Sequence, residues 1–371
     1  MQKKLIALAI AGLASTAAFA QSNVQIYGSI DMGFTHRGDN ITNGVDSQNA
    51  INSGISAGNR LGFKGTEDLG NGLKALFTLE AGYTADVGTS TQNGRLFGRQ
   101  VFAGLTGDFG TVIAGRLYTP KYSFMSTIDP FKAGTVGRYR NVMGAANYGV
   151  TVGGENLFDP TRVDNAVAYV SPRFSGFNVT VAYSNNAIGQ EAVANTGDNT
   201  VFAILPRYTN GPIDVALNYH QIDLANDTPA DNQKITNWTL GGTYDFGMAK
   251  LAAYYDQNKW KDFAGSDDLK LRTWGLGVTV PFGKHAVLAS YNTSKLKLNG
   301  AGSADADQWA LGYTYALSKR TNVYAAYADI SNDNANGRRA SQLQRQTSVG
   351  DATNAGNGYQ NGFQVGLKHT F

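Results

Sequence analysis

The stretch Val24-Gln25-Ile26-Tyr27-Gly28-Ser29-Ile30-Asp31-Met32-Gly33-Phe34-Thr35 alternates residue by residue. Successive side chains of an extended chain point to opposite faces, so Val24, Ile26, Gly28, Ile30, Met32 and Phe34 share one side, and Gln25, Tyr27, Ser29, Asp31, Gly33 and Thr35 the other. One face is apolar and the other mostly polar, which is the signature of a strand with two different surroundings. The pattern returns along the chain. Leu73, Ala75, Phe77, Leu79, Ala81 and Tyr83 oppose Lys74, Thr78 and Glu80; Phe177, Val179, Val181 and Tyr183 oppose Asn178 and Thr180. Segments 213–219, 238–244, 274–280, 287–291, 311–315 and 363–371 repeat it, the last ending on Phe371.

Connections between these strands come in two sizes. Segments 68–72, 210–212, 246–247, 281–283 and 317–321 are short and rich in Gly, Asn, Pro and Ser, as hairpin turns require. Segments 37–56, 85–94, 117–160, 185–199, 223–233, 258–268, 295–304 and 331–357 are long and polar. Eight long and about seven short connections give about sixteen strands, an even number that suits a closed antiparallel barrel with both termini at the short-turn rim.

Composition narrows the solvent. Of 371 residues 19 are Tyr, 18 Phe and 4 Trp, 45 are Gly and none is Cys, which excludes disulfide scaffolds, thiolate metal sites and thiol enzymes. Lys and Arg number 31 against 28 Asp and Glu, and a net charge of +3 gives no reason to expect a nucleic-acid partner. Lys3 and Lys4, an apolar run over 5–13 and the small-residue site Ala18-Phe19-Ala20 predict a secretory signal peptide over 1–20, leaving a single domain over 21–371. Beyond it no apolar run reaches the ~18–20 residues a membrane helix needs, so only a closed barrel is open to a membrane protein of this sequence. A soluble sandwich would set a densely charged face against water, yet only 16% of the chain is charged. Tyrosines near the strand ends, among them Tyr83, Tyr183, Tyr244, Tyr291 and Tyr313, suit interfacial girdles. The fold class is therefore all-β, a closed antiparallel transmembrane barrel.

Several segments carry a family likeness: Val24-Gln25-Ile26-Tyr27-Gly28, Asn59-Arg60-Leu61-Gly62-Phe63-Lys64-Gly65-Thr66-Glu67-Asp68-Leu69-Gly70, Gly115-Arg116, Asp129-Pro130-Phe131, Leu317-Ser318-Lys319-Arg320-Thr321 and the final Phe371. In this order the sequence resembles the general trimeric porins of Gram-negative outer membranes, and within them the beta-proteobacterial, anion-selective-like branch. The resemblance implies sixteen strands, a homotrimer in outer-membrane lipid and lipopolysaccharide, a second loop latching onto the neighbouring subunit and a third folded into the lumen. It also implies that Phe371 is read by the barrel-assembly machinery, and that Arg116 joins the basic wall of the pore.

A barrel of about sixteen strands is too wide for side chains to fill, so water occupies it and the narrowest point governs transport. The 44 residues of 117–160 are far more than a structureless loop usually has, and folding them into the lumen would form a constriction. Glycines 134, 137, 144, 149, 153 and 154 would allow close backbone approach there. Alternation aims Arg60, Arg162 and Asp164 inward, because an arginine facing lipid at mid-membrane costs about 2–4 kcal/mol. Arg95 and Arg99 share a face and extend the strip, while Asp31 and Glu80 dilute it. In the third loop Lys121, Lys132, Arg138 and Arg140 outnumber Asp129, Glu155 and Asp159, a departure from the acidic third loop common in the family. Uncompensated cations in a narrow pore attract anions. The expected function is passive diffusion of small hydrophilic solutes and anions; an adhesin working through its long loops is the alternative.

Catalysis and cofactors have no support. His36, His220, His285 and His369 are scattered, with no nucleophile elbow, zincin helix or phosphate loop. The run Asn332 to Gly337 resembles the start of a calcium loop, but Leu343 stands where the bidentate Glu belongs.

Overall fold

The computed structural model describes residues 23–42, 45–143, 151–152, 155–187, 189, 199–224, 233–263, 267–298, 302–333, 347–353 and 357–371. The 1–20 segment and glycines 144, 149, 153 and 154 lie outside these residues, as do most of the calcium-like run and Leu343. Strands are numbered as follows: β1 (Asn23–Asn40), β2 in two pieces (Ser47–Ser53 and Arg60–Gly70), β3 (Leu73–Gly82), β4 (Gln100–Gly107), β5 (Gly110–Tyr118), β6 (Arg162–Val170), β7 (Phe177–Ser184) and β8 (Thr200–Asn210). Then come β9 (Ile213–Asp223), β10 (Lys234–Asp245), β11 (Lys250–Phe263), β12 (Asp267–Phe282), β13 (His285–Leu298), β14 (Gly302–Ala316), β15 (Thr321–Asp333) and β16 (Tyr359–Thr370).

These 16 strands close into one antiparallel barrel in sequence order. β1 completes the circle by pairing with β16 from Ser29 opposite Thr370 to Asn40 opposite Tyr359. Closure leaves no edge with unpaired backbone, the condition for crossing hydrocarbon with strands. Alternation sets the two faces as the sequence predicts. Leu240, Trp274, Leu276, Trp309 and Leu311 point outward and are exposed, while Asn237, Thr239, Asp256, Asn258 and Thr273 on the same and adjacent strands point inward.

The strands β11 to β13 run further than expected. Polar loops were predicted over 258–268 and 295–304, whereas pairing continues to Lys259 opposite Lys270 and Leu269 opposite Leu298. Polarity reverses here: lysines face out, and Trp260, Leu269, Leu271, Leu296 and Leu298 face in, all buried. This corrects the expectation of a polar inner wall throughout. The apolar part of the wall is covered by Leu157 and Phe158 of the third loop, and the Phe158 ring meets Trp260 edge-on at 6.4 Å.

The third loop lies inside the barrel. It opens with helix α1 (Pro120–Ile128), whose N-cap Thr119 accepts the Tyr122 N–H at 3.2 Å and whose first position is proline, preset for a helix start. Asp129 stops it, since a residue before proline avoids the helical region. The Asp129 carboxylate then accepts the N–H groups of Phe131 (3.2 Å), Ala133 (2.8 Å) and Tyr139 (3.4 Å), closing a tight turn. Phe124, Met125 and Ile128 pack on Leu205 and Ala216 of the wall. Close approach rests on wall glycines as much as on loop glycines. A Cβ on Gly241, Gly277 or Gly312 would stand 2.9 Å from Ile128, 2.5 Å from Pro130 and 2.7 Å from Phe131. Within the loop, Gly134 abuts the Ser56 carbonyl and Gly137 the Phe131 ring.

Candidate pore constriction

Buried charges hold the third loop. The Lys121 ammonium, fully buried, contacts the carboxylates of Asp256 on β11 at 2.8 Å and Asp159 at 3.5 Å, and donates to the Phe158 carbonyl at 3.0 Å. The Arg140 guanidinium binds Asp159 at 2.7 Å, and Tyr139 donates its hydroxyl to the same carboxylate at 3.2 Å. Burial pushes the Asp159 carboxyl up, but Arg140 and Lys121 outweigh it and hold the group below the usual range. Burial pushes Asp129 up to about 6, against its three backbone donors.

A second anchor uses the loop before β16. Asp351, fully buried, pairs with Arg37 of β1 at 2.8 Å and accepts the Gln364 amide at 2.8 Å. Gln364 in turn accepts the Val136 N–H at 2.8 Å, and Arg138 donates to the Asp351 carbonyl. Burial, and then the neighbouring Arg140, push the Arg138 guanidinium down to about 10. Two loops are thereby fastened to each other and to the wall.

Opposite them the wall is basic. Arg99 binds Glu80 at 2.7 Å and the Tyr118 hydroxyl at 2.6 Å; Arg60 approaches Glu80 at 3.8 Å, and Tyr27 donates to it at 3.0 Å. Arg162 lies over the Tyr118 ring at 4.9 Å. Three guanidiniums thus gather around one carboxylate and two phenols. The β2 break at residues 54–59 turns inward beside them, held by Asp31, which accepts the Ser56 and Ala57 N–H groups at 2.9 Å each and the Tyr324 hydroxyl. Lys368 of β16 pairs in register with Asp31, and the charges of Lys132 and Arg60 reach it electrostatically.

The residues singled out in the sequence thus fall into distinct places. Arg60, Arg99, Arg162 and Glu80 come together. Arg95 and Arg116 form a separate cluster on Asp164, at 2.7 Å and 2.5 Å, where a register shift between β5 and β6 interrupts alternation. Lys132 is exposed, Arg138 and Arg140 are half-buried, and Lys121, Asp129 and Asp31 are buried. Lys368 is not among the residues singled out in the sequence; its inward parity and its place opposite Asp31 are the signals that mark it. Phe371 exchanges two backbone hydrogen bonds of 3.1 Å with Gly28, so the final residue closes the β1–β16 seam. His285 stacks with Phe282 on the outer face, and His369 meets the Thr321 hydroxyl at 2.8 Å.

Known proteins share this architecture and much of this sequence. The family model described as Gram-negative porin matches residues 7–335. An outer membrane porin of Bordetella pertussis is 35% identical over 371 aligned positions, covering 88% of this chain and 93% of that one. Outer membrane porin protein 32 of Delftia acidovorans is 34% identical with full coverage of both chains. Among solved structures, the anion-selective porin from Comamonas acidovorans superposes with a TM-score of 0.74 at 29% identity, covering 95% of this chain and all of that one. The family is one of channels, not of enzymes. With its closed barrel and inward third loop, this chain belongs to the Gram-negative porins and resides in the outer membrane.

Proposed function

We propose that the channel passes small hydrophilic solutes and prefers anions. One observation carries this reading: Arg60, Lys132 and Lys368 approach the passage with water-accessible charge, while Asp31, Glu80, Asp129, Asp159 and Asp351 are buried and already bound. In a narrow, low-dielectric passage such an excess raises the local anion concentration and repels cations. The anion-selective porin at 29% identity agrees with it. The working form is a homotrimer in lipopolysaccharide-containing membrane, made from a precursor that loses residues 1–20 and is recognised by the assembly machinery through Phe371; the leader's basic, apolar and small-residue parts and the family likeness support this. Planar-bilayer recording tests the reading. Conductance should rise in triplets, and the reversal potential in a KCl gradient should take the sign of chloride preference. Potassium preference would overturn it.

A further inference from the structure

Beside Arg60, toward the short-turn rim, the lumen wall carries an aromatic ring that simple ion passage does not use. Register places Tyr27 of β1 opposite Gly62 of β2, and Arg60 and Lys64 point inward on either side of that glycine, each about 7 Å along the strand. A Cβ on Gly62 would stand 2.4 Å from the Tyr27 Cζ, so the ring lies across bare backbone. Its hydroxyl donates to Glu80 on β3 at 3.0 Å, which pins the far end. One face of the half-buried Tyr27 therefore backs onto the wall, and the other looks into the lumen. Over that second face stands the Lys64 ammonium, 5.1 Å from the ring centroid. Lys64 is exposed, and among the described residues no carboxylate pairs with it. Contact between a cation and a ring is weak where water reaches the cation, so the ammonium on its flexible stem is a movable cover.

Other inward rings are closed by their neighbours. Tyr324 is buried, Tyr139 and Tyr254 meet edge-on at 6.0 Å, and Tyr118 is covered by Arg162 at 4.9 Å and by Tyr122 at 5.1 Å. Tyr27 differs in offering a face that a passing solute can take. Chloride or an aliphatic carboxylate needs only the cations and gains little from the ring. A planar aromatic carboxylate uses both parts: its ring replaces the ammonium on the tyrosine face in an offset stack, while its carboxylate accepts from Arg60 or from the displaced Lys64.

We propose that Tyr27, Lys64 and Arg60 form a subsite for aromatic carboxylates, and that the channel binds these solutes in preference to aliphatic carboxylates of equal charge. The proposal rests on the lumen admitting anions. It is tested with the full protein in planar bilayers, by the concentration of benzoate or of cyclohexanecarboxylate that halves the chloride current. The two anions match in charge and bulk, but only benzoate has a flat ring. Benzoate should block at a concentration about threefold or more below its saturated counterpart. Tyr27→Leu should bring the two values together, whereas Tyr27→Phe, which keeps the ring and loses the bond to Glu80, should retain the difference. Lys64→Glu, at an exposed position, should raise the benzoate value severalfold. Heat-modifiable gel mobility certifies each barrel. Equal block by the two anions in the unmodified channel, a preference that survives Tyr27→Leu, or a benzoate value unmoved by Lys64→Glu would each overturn the proposal. The reversal potential in the same bilayers tests anion preference separately, because the ratio of two equally charged blockers does not depend on its sign.

Discussion

Two charged regions face the interior of this barrel and behave oppositely. Around Glu80, the guanidiniums of Arg60 and Arg99 share one carboxylate and Arg162 stacks on Tyr118, so positive charge is in surplus. Around Asp159, Lys121 and Arg140 meet Asp159 and Asp256 in a buried group whose charges balance. The first region retains a field that reaches the water; the second spends its charges on each other and fixes a loop. Residue type does not separate the two roles. Nor does burial alone, since Arg99 and Arg162 are buried too; the balance of cations against carboxylates does.

The sharpest break of this contrast is Lys121→Met. It leaves two carboxylates buried without their shared cation, a change that typically costs about 3–5 kcal/mol. The barrel ladder should survive while the third loop detaches, so single-channel conductance and the size limit for sugars in liposome swelling should both increase. Unchanged sieving would show that Lys121 is not the loop's anchor.

A second test uses pH. With the folded-state group at about 6 against an ordinary 3.8, the protonated Asp129 carboxyl favours the folded turn. That contribution is full below about pH 4 and is lost as pH rises through about 6, a change on the order of 3 kcal/mol. Amide exchange over 131–139, corrected for intrinsic rates, should speed up across this window, and Asp129→Asn should abolish the dependence.

In the basic region the effects are smaller and electrical. Arg60→Gln removes one water-facing charge. At ~10 Å and an effective dielectric of 20–80 that charge is worth about 0.4–1.7 kcal/mol for each monovalent ion, with opposite sign for chloride and potassium, so the chloride-to-potassium permeability ratio should fall roughly fourfold or more. Arg116→Gln, in the cluster on Asp164, should shift it far less; an equal shift would erase the distinction between the two arginine groups. Smallest of all is Arg95→Gln, which breaks a partly exposed pair and should cost under about 1 kcal/mol by thermal unfolding.

Much of the fold was legible because a barrel imposes one rule on every strand: apolar toward lipid, polar toward water. The rule fails where either solvent is replaced. Above the membrane the outer face meets polar surroundings and the inner face meets Phe158, so β11 to β13 looked like loops at Lys259 and Lys297. Parity put Arg60 and Glu80 on inward faces, and the two side chains lie 3.8 Å apart. Parity could not foresee the register shift beside Arg116, which pairs with Asp164, nor that Lys121 would be paired in the dark while Lys132 stayed wet. The Asp129-Pro130-Phe131 motif was visible as a signature only. Its physical content is a helix stop that lays a proline and an aromatic ring against two bare positions of the wall.

Those bare positions have a consequence for anyone recasting this molecule as a nanopore sensor. Bore is set jointly by plug and scaffold: Gly241, Gly277 and Gly312 are sockets cut to the shape of Ile128, Pro130 and Phe131. Shortening the plug alone would leave vacant sockets, whereas a methyl group added at Gly277 would tilt the plug toward the axis. Calibre could then be tuned in sub-ångström steps from the scaffold side, without touching a single charge that the analyte meets.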